Sequence, residues 1–137
     1  MPSPTKPSDS SGSFSLQINH MIIESIELAK KLIEENFTKR YTQKILCKLT
    51  GLNQYKFKKA FKILVGVSAR QYQVQVKIER AKIILLETDD YIWEIALSLG
   101  YEHAQNFSMQ FKRRVGSSPK KWRKHEKIRH ASPSRIP

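Results

Sequence analysis

One cysteine in 137 residues, Cys47, excludes an intramolecular disulfide and fits a reducing compartment. Acids are scarce as well: 12 Asp and Glu stand against 25 Lys and Arg, for a formal net charge of +13 and a pI near 10.0. An imbalance of that size favours a polyanionic partner, with nucleic acid as first candidate and an acidic membrane surface as its competitor. A spanning segment is not expected, because no run approaches the ~20 apolar residues that a helical crossing needs. The Pro- and Ser-rich start is not the basic-then-apolar pattern of a secretory signal, so a cytoplasmic location is expected. Also missing are a phosphate-cradling loop, paired carboxylates within one motif, and any Cys-His or Ser-His arrangement, so the chain does not read as an enzyme. His125 and His130, five residues apart, lack partner ligands, so no metal or other cofactor is expected.

What is present is a duplication. Residues 101–123 read Y-E-H-A-Q-N-F-S-M-Q-F-K-R-R-V-G-S-S-P-K-K-W-R. Ala104, Phe107, Phe111 and Val115 recur at spacings of three and four, which predicts one apolar stripe along a helix. The opposite face carries Gln105, Asn106, Met109, Lys112 and Arg113, with no acid among them. Gly116 ends the helix, and Ser118 followed by Pro119 reads as a cap and a first helical position. Residues 51–68 repeat the pattern, with Phe57, Phe61, Lys62 and Gly66 standing to each other as Phe107, Phe111, Lys112 and Gly116 do. Before each copy a short apolar segment ends at a glycine, and a small residue, Cys47 or Ala96, lies four positions before that glycine. The small residue lets two helices approach and the glycine allows the left-handed turn between them, which describes a helix-turn-helix. One such pair would more often be an ordinary helical hairpin. Two copies with acid-free basic faces favour DNA, since amides can read base edges and cations can hold phosphates.

The rest of the chain organises around these two motifs as one domain, or as two very small ones sharing a helix. The expected fold is all-α, with about seven helices in two helix-turn-helix subdomains joined by a long linking helix. Residues 1–15, rich in serine and proline, read as a disordered tail or linker. Residues 16–67 form the first subdomain. Its opening helix over 22–36 hides Ile22, Ile26, Ala29 and Ile33, its next helix is capped by Thr42, and its second motif helix is capped by Asn53. In that last helix Phe57, Ala60, Phe61 and Leu64 are expected to point inward, while Tyr55, Lys58, Lys59 and Lys62 point outward. Residues 68–87 form the linking helix, capped by Ser68 and apolar over more than one face. Residues 88–128 form the second subdomain. One of Thr88, Asp89 and Asp90 is expected to cap its first helix, Trp93 to pack inward rather than lie near the sugar-phosphate backbone, and a closing helix over 119–127 to bury Trp122. Residues 129–137 read as a frayed tail.

Taken together, Ile95-Ala96, Leu99-Gly100-Tyr101, Asn106-Phe107-Ser108, Phe111-Lys112, Gly116, Ser118-Pro119 and Trp122-Arg123 resemble the signature region of the AraC/XylS family of bacterial transcription regulators. Gly51-Leu52-Asn53, Phe57-Lys58, Phe61-Lys62, Gly66, Tyr72 and Ala81 resemble its first half. The resemblance spans about residues 22–127. It implies sequence-specific binding to double-stranded promoter DNA, with two recognition helices in adjacent major-groove segments, and transcription regulation, usually activation. By position, the base-facing residues would be Gln54, Tyr55, Lys58 and Lys59 in the first recognition helix. In the second they would be Ala104, Gln105, Asn106 and Met109. Phosphate contacts would fall to Lys44, Lys62, Lys112, Arg113, Lys120 and Arg123. Ala104 and Met109 stand where relatives often offer a polar or basic group, which shifts the expected affinity toward the first subdomain. RNA polymerase is an implied partner, and so is an effector-sensing or dimerisation domain outside this chain. The Ser/Pro-rich start tilts the expectation toward the C-terminal piece of a longer regulator. The rival reading is a basic nucleic-acid binder without sequence preference, which would need the cations but neither the duplicated turn nor the amides.

Overall fold

In the computed structural model, which describes residues 17–131, each apolar stripe becomes the hidden side of a helix. The described residues form seven helices and no strand: α1 (His20–Glu35), α2 (Gln43–Thr50), α3 (Gln54–Val65), α4 (Ala69–Glu87), α5 (Ile92–Ser98), α6 (Ala104–Val115) and α7 (Pro119–Ala131). The residues with which helices begin are legible in the hydrogen bonds. Thr42 Oγ1 accepts from the Ile45 N–H at 3.1 Å, and Asn53 Oδ1 accepts from the Lys56 N–H at 2.8 Å. Ser68 and Gln71 cap reciprocally, each side chain taking the other's backbone N–H at 3.1 Å. Ser118 Oγ accepts from the Lys121 N–H at 3.2 Å, as expected of the repeat. At the start of α5 none of Thr88, Asp89 and Asp90 serves. Instead the Glu94 carboxylate reaches back and accepts the Tyr91 N–H at 3.0 Å.

The described residues belong to two compact units, one comprising residues through Glu35 with Tyr41–Tyr72, the other Asn36–Arg40 with the chain from Gln73 onward. This differs from the division read in the sequence, because residues 36–40 join the second unit and α4 changes units after its first turn. In the first unit α1 packs on both α2 and α3. Ile22, Ile26, Ala29 and Ile33 of α1, Leu46 and Cys47 of α2, and Phe57, Ala60 and Phe61 of α3 are all buried. Tyr72 closes this core edge-on to Phe61, ring centroids 5.9 Å apart, and its hydroxyl donates to the Glu34 carboxylate. Burial first, and Glu34 second, push the Tyr72 phenol up to about 12. Leu64, expected inside, is 40% exposed, because the hidden arc of α3 is narrow and Ala60 and Phe61 already fill it.

The second core gathers Ile78, Ala81 and Leu85 of α4 with Ile95, Ala96, Leu99, Tyr101, Phe107 and Phe111, and Phe37 and Trp122 pack against it. Helix α4 was expected to be buried on several sides. Residues 72–77 are part-buried on every side, but farther along only the Ile78, Ala81 and Leu85 row is fully hidden, and Ile83 is 49% exposed. Trp93 does not pack inward either. It is 54% exposed and stacks on Tyr91, ring centroids 6.4 Å apart and 9° from parallel. Helix α7 continues to Ala131, so residues 129–131 are helical rather than frayed, and Glu126 holds Arg129 at 3.0 Å with His130 Nε2 3.4 Å away. The expected tails at residues 1–15 and 132–137 lie outside the described residues.

Gly100 leaves room for residues 36–40 against the second unit. Its φ is 95°, and a Cβ there would sit 2.2 Å from the Thr38 carbonyl oxygen. The turn between α5 and α6 therefore backs directly onto that segment. Gly116, at φ 105°, opens onto empty space. In urea unfolding, Gly116→Ala is expected to cost about 1–2 kcal/mol from left-handed strain alone. Gly100→Ala is expected to cost clearly more, since the Thr38 backbone must also move. Equal losses would show that the segment yields freely.

Candidate nucleic-acid interface

In the first unit, helix α3 hides Phe57, Ala60 and Phe61. With 3.6 residues per turn, that fixes the helix rotation and turns Gln54, Tyr55, Lys58, Lys59 and Lys62 to solvent, with Lys56 beside them. Tyr55 is 53% exposed, and Lys59 Nζ lies 5.8 Å from the centroid of its ring. The ring and the cation thus share one patch. Lys44 is exposed in the first turn of α2.

In the second unit, helix α6 hides Phe107 and Phe111 and turns Gln105, Asn106 and Met109 to solvent. Its cations Lys112, Arg113 and Arg114 all fall in the last turn, where the helix dipole favours them. Lys112 and Arg113 are exposed, while the Arg114 guanidinium donates to Gln75 Oε1 at 2.9 Å. The turn that aims α6 is held by Tyr101, whose hydroxyl donates to Gln110 Oε1 at 2.5 Å. Burial pushes that phenol up to about 12. Lys77 Nζ lies 4.8 Å from the centroid of the Tyr101 ring, and burial, then the nearby Arg40 charge, lower the ammonium's pKa.

Two of the residues expected to meet DNA are placed otherwise. Ala104 is half-buried and packs against the second core, so its methyl is largely spent inside. Arg123 is half-buried and its fork is committed: Nε donates to the Leu85 carbonyl at 2.9 Å, Nη1 to Asp90 at 2.8 Å and Nη2 to Thr88 at 3.3 Å. Leu85 lies in the last turn of α4, whose carbonyls have no partner within the helix, so Arg123 satisfies that end rather than offering a free cation. Lys127 works beside it, 2.6 Å from an Asp89 carboxylate oxygen, and that contact lowers the Asp89 pKa. Lys120 remains exposed in the first turn of α7. Its repeat counterpart, missed from the sequence, is Arg70, exposed in the first turn of α4 two residues after the Ser68 cap. Continuing the fifty-residue register past Gly66, so that position 70 pairs with Lys120, would have found it.

Among the described residues no cluster of His, Cys, Asp and Glu is placed to hold a metal ion, and no helix is long and apolar enough to cross a membrane. What the two units share is a helix held by a buried Phe pair, an outer face free of acids, and cations on or beside that face.

Residues 46–125 match the family described as a helix-turn-helix domain. The chain belongs to this family, in its AraC/XylS-type form. It is 30% identical over 105 residues to the bifunctional transcriptional activator/DNA repair enzyme AdaA of Bacillus subtilis, covering 77% of this chain and 50% of that protein. The chain thus spans half the length of AdaA, and 41% of the lactose operon transcription activator of Staphylococcus xylosus, to which it is 27% identical. Among solved structures, the C-terminal domain of the two-component response regulator yesN from Fusobacterium nucleatum is 31% identical. It superposes with a TM-score of 0.68 over 73% of this chain and 98% of that one.

Because Arg123 serves the end of α4, Arg123→Lys is expected to lower unfolding stability by about 2–3 kcal/mol, since a single nitrogen lacks the spread fork that reaches three separate carbonyls. Lys120→Ala is expected to leave the denaturation midpoint unchanged and to reduce the salt dependence of DNA binding by about one unit of slope. A stable Arg123→Lys protein with a reduced salt slope would return Arg123 to the phosphate contacts.

Proposed function

We propose that the chain reads double-stranded promoter DNA with α3 and α6, each in its own major-groove segment, as the DNA-binding part of a bacterial transcription activator. The observation that carries this reading is the duplicated outward face: bearing amides or cations, free of acids, and set on a buried Phe pair in both units. Gln54, Tyr55, Lys58 and Lys59 would meet bases from α3, and Gln105, Asn106 and Met109 from α6. Lys44, Lys62, Lys112, Arg113 and Lys120, joined by Arg70, would meet phosphates. Two recognition helices in one chain allow a monomer to read an asymmetric site. Relatives about twice as long leave room for an additional sensing or dimerisation domain in the intact regulator, and RNA polymerase would be its target at the promoter. The chemistry would then be binding alone, in the cytoplasm, with no catalytic step and no cofactor.

Selection from random double-stranded oligonucleotides at two salt concentrations tests this. The expected result is a motif of two blocks whose strongest members keep their preference as salt rises. Binding without a motif, vanishing with salt, would replace the proposal by a sequence-indifferent polyanion binder. With the recovered site, the double variant Lys58→Ala/Lys59→Ala is expected to weaken binding more than Gln105→Ala/Asn106→Ala, since it removes two charges that act on bases and phosphates alike. The reverse order would place most of the affinity on α6.

A further inference from the structure

The two outward faces carry unlike chemistry. The repeat register pairs each residue of α3 with the residue fifty positions later in α6. Lys56, Lys58, Lys59 and Lys62 then correspond to Asn106, Ser108, Met109 and Lys112. Of these four positions only the last keeps a cation in α6, and it belongs to the final turn. The leading part of α6 thus presents no charge where α3 presents lysines. Gln105, Asn106 and Met109 share one exposed side there, being three and four residues apart.

The major groove distinguishes these chemistries. Guanine offers two acceptors, N7 and O6, which suit an ammonium. Adenine offers an acceptor beside a donor, which suits a carboxamide. Thymine adds a 5-methyl group, which only an apolar surface can use. A single exposed methionine is ordinary on a protein surface. Met109 is unusual in its position: 52% exposed, flanked by two amides, and the counterpart of Lys59 in the other unit. Its thioether is a poor hydrogen-bond partner, so what it offers a base is apolar contact.

We infer that the chain takes a DNA site with chemically unlike halves: a guanine-bearing block under α3, and an A·T block under α6 in which Met109 reads the thymine 5-methyl. Lys58 and Lys59 donate to guanine N7 and O6 in the first block. Gln105 and Asn106 bond adenine in the second, and Met109 discriminates thymine from a base with the same hydrogen-bonding edge but no methyl. This rests on the major-groove reading proposed above and adds which bases each helix requires.

The test uses the purified chain and the site recovered by selection. Selection is repeated with Lys58→Ala/Lys59→Ala and with Gln105→Ala/Asn106→Ala to learn which block each helix reads. The unmodified duplex is then compared with two others by competition binding. One carries deoxyuridine for thymidine in the α6 block only, and the other 7-deazaguanine for guanine in the α3 block only. Losing one methyl contact is expected to weaken binding about fourfold, the equivalent of ~0.8 kcal/mol. Losing N7 acceptors is expected to cost about tenfold or more. Met109→Ala should bind the thymidine and deoxyuridine duplexes alike while keeping its response to 7-deazaguanine. If a two-block motif is recovered but the α6 block is guanine-bearing, or deoxyuridine changes nothing, this inference fails and the major-groove proposal stands. If no motif is recovered, both fall.

Discussion

The outward chemistry of each unit depends on two phenylalanines one helical turn apart. Phe57 and Phe61 in α3, and Phe107 and Phe111 in α6, are at most 1% exposed, with ring centroids 5.6 and 5.8 Å apart. A helix can rotate about its axis at little cost if its hidden side is made of small, interchangeable groups. Two large rings in a close-packed core remove that freedom, because each must occupy its own cavity. Once they are seated, the directions of Gln54, Tyr55, Lys58 and Lys59, or of Gln105, Asn106 and Met109, follow from helix geometry. Interior packing thereby sets which side chains a groove could meet, and no outward residue needs a tertiary partner of its own to be aimed.

The remaining constraint is where each helix starts and what lies behind its turn. Leu46 and Cys47 in α2 and Ile95 and Ala96 in α5 are buried, which brings the first motif helix against the second in both units. Cys47 fills the same slot as Ala96, and burial pushes its thiol pKa up, in keeping with a packing role. Behind the second turn the space is closed by the Thr38 backbone. The turn before α3 has no such backing at Gly51, whose Cβ position is open. The repeat is therefore alike where helices touch and unlike where the turns meet the rest of the chain.

That distinction accounts for how much could be read in the sequence. Helix faces and caps were legible because they are local: Thr42, Asn53, Ser68 and Ser118 cap through neighbours three residues on, and the Phe spacing is four. Arg123 was not legible. Its donors reach carbonyls 33 to 38 residues earlier, and nothing in a run of basic residues distinguishes an arginine that closes a helix end from one left for a phosphate. Trp93 misled for the opposite reason. Its size argues for burial, yet its turn of α5 faces away from the core and its ring settles on Tyr91. Membership of residues 36–40 in the second unit depends on Phe37 meeting that core and Arg80 lying 4.7 Å from the Phe37 ring centroid, both long-range events.

Net charge is a poor guide to where such a chain binds, and the repeat shows why. An excess of +13 is spread over the whole sequence, including residues already occupied, such as Arg114 on Gln75, Arg123 on three carbonyls and Lys127 on Asp89. Beyond these, α3 still exposes Lys56, Lys58 and Lys62, and Lys112 and Arg113 stand at the end of α6, whereas the leading half of α6 carries no charge. A uniform polyelectrolyte coat would favour cations on both faces, because every phosphate attracts them equally. Amides and a thioether on one face are of use only against a surface whose chemistry varies from place to place, and the major groove is such a surface. The asymmetry between the two copies therefore argues for reading more strongly than the charge argues for binding.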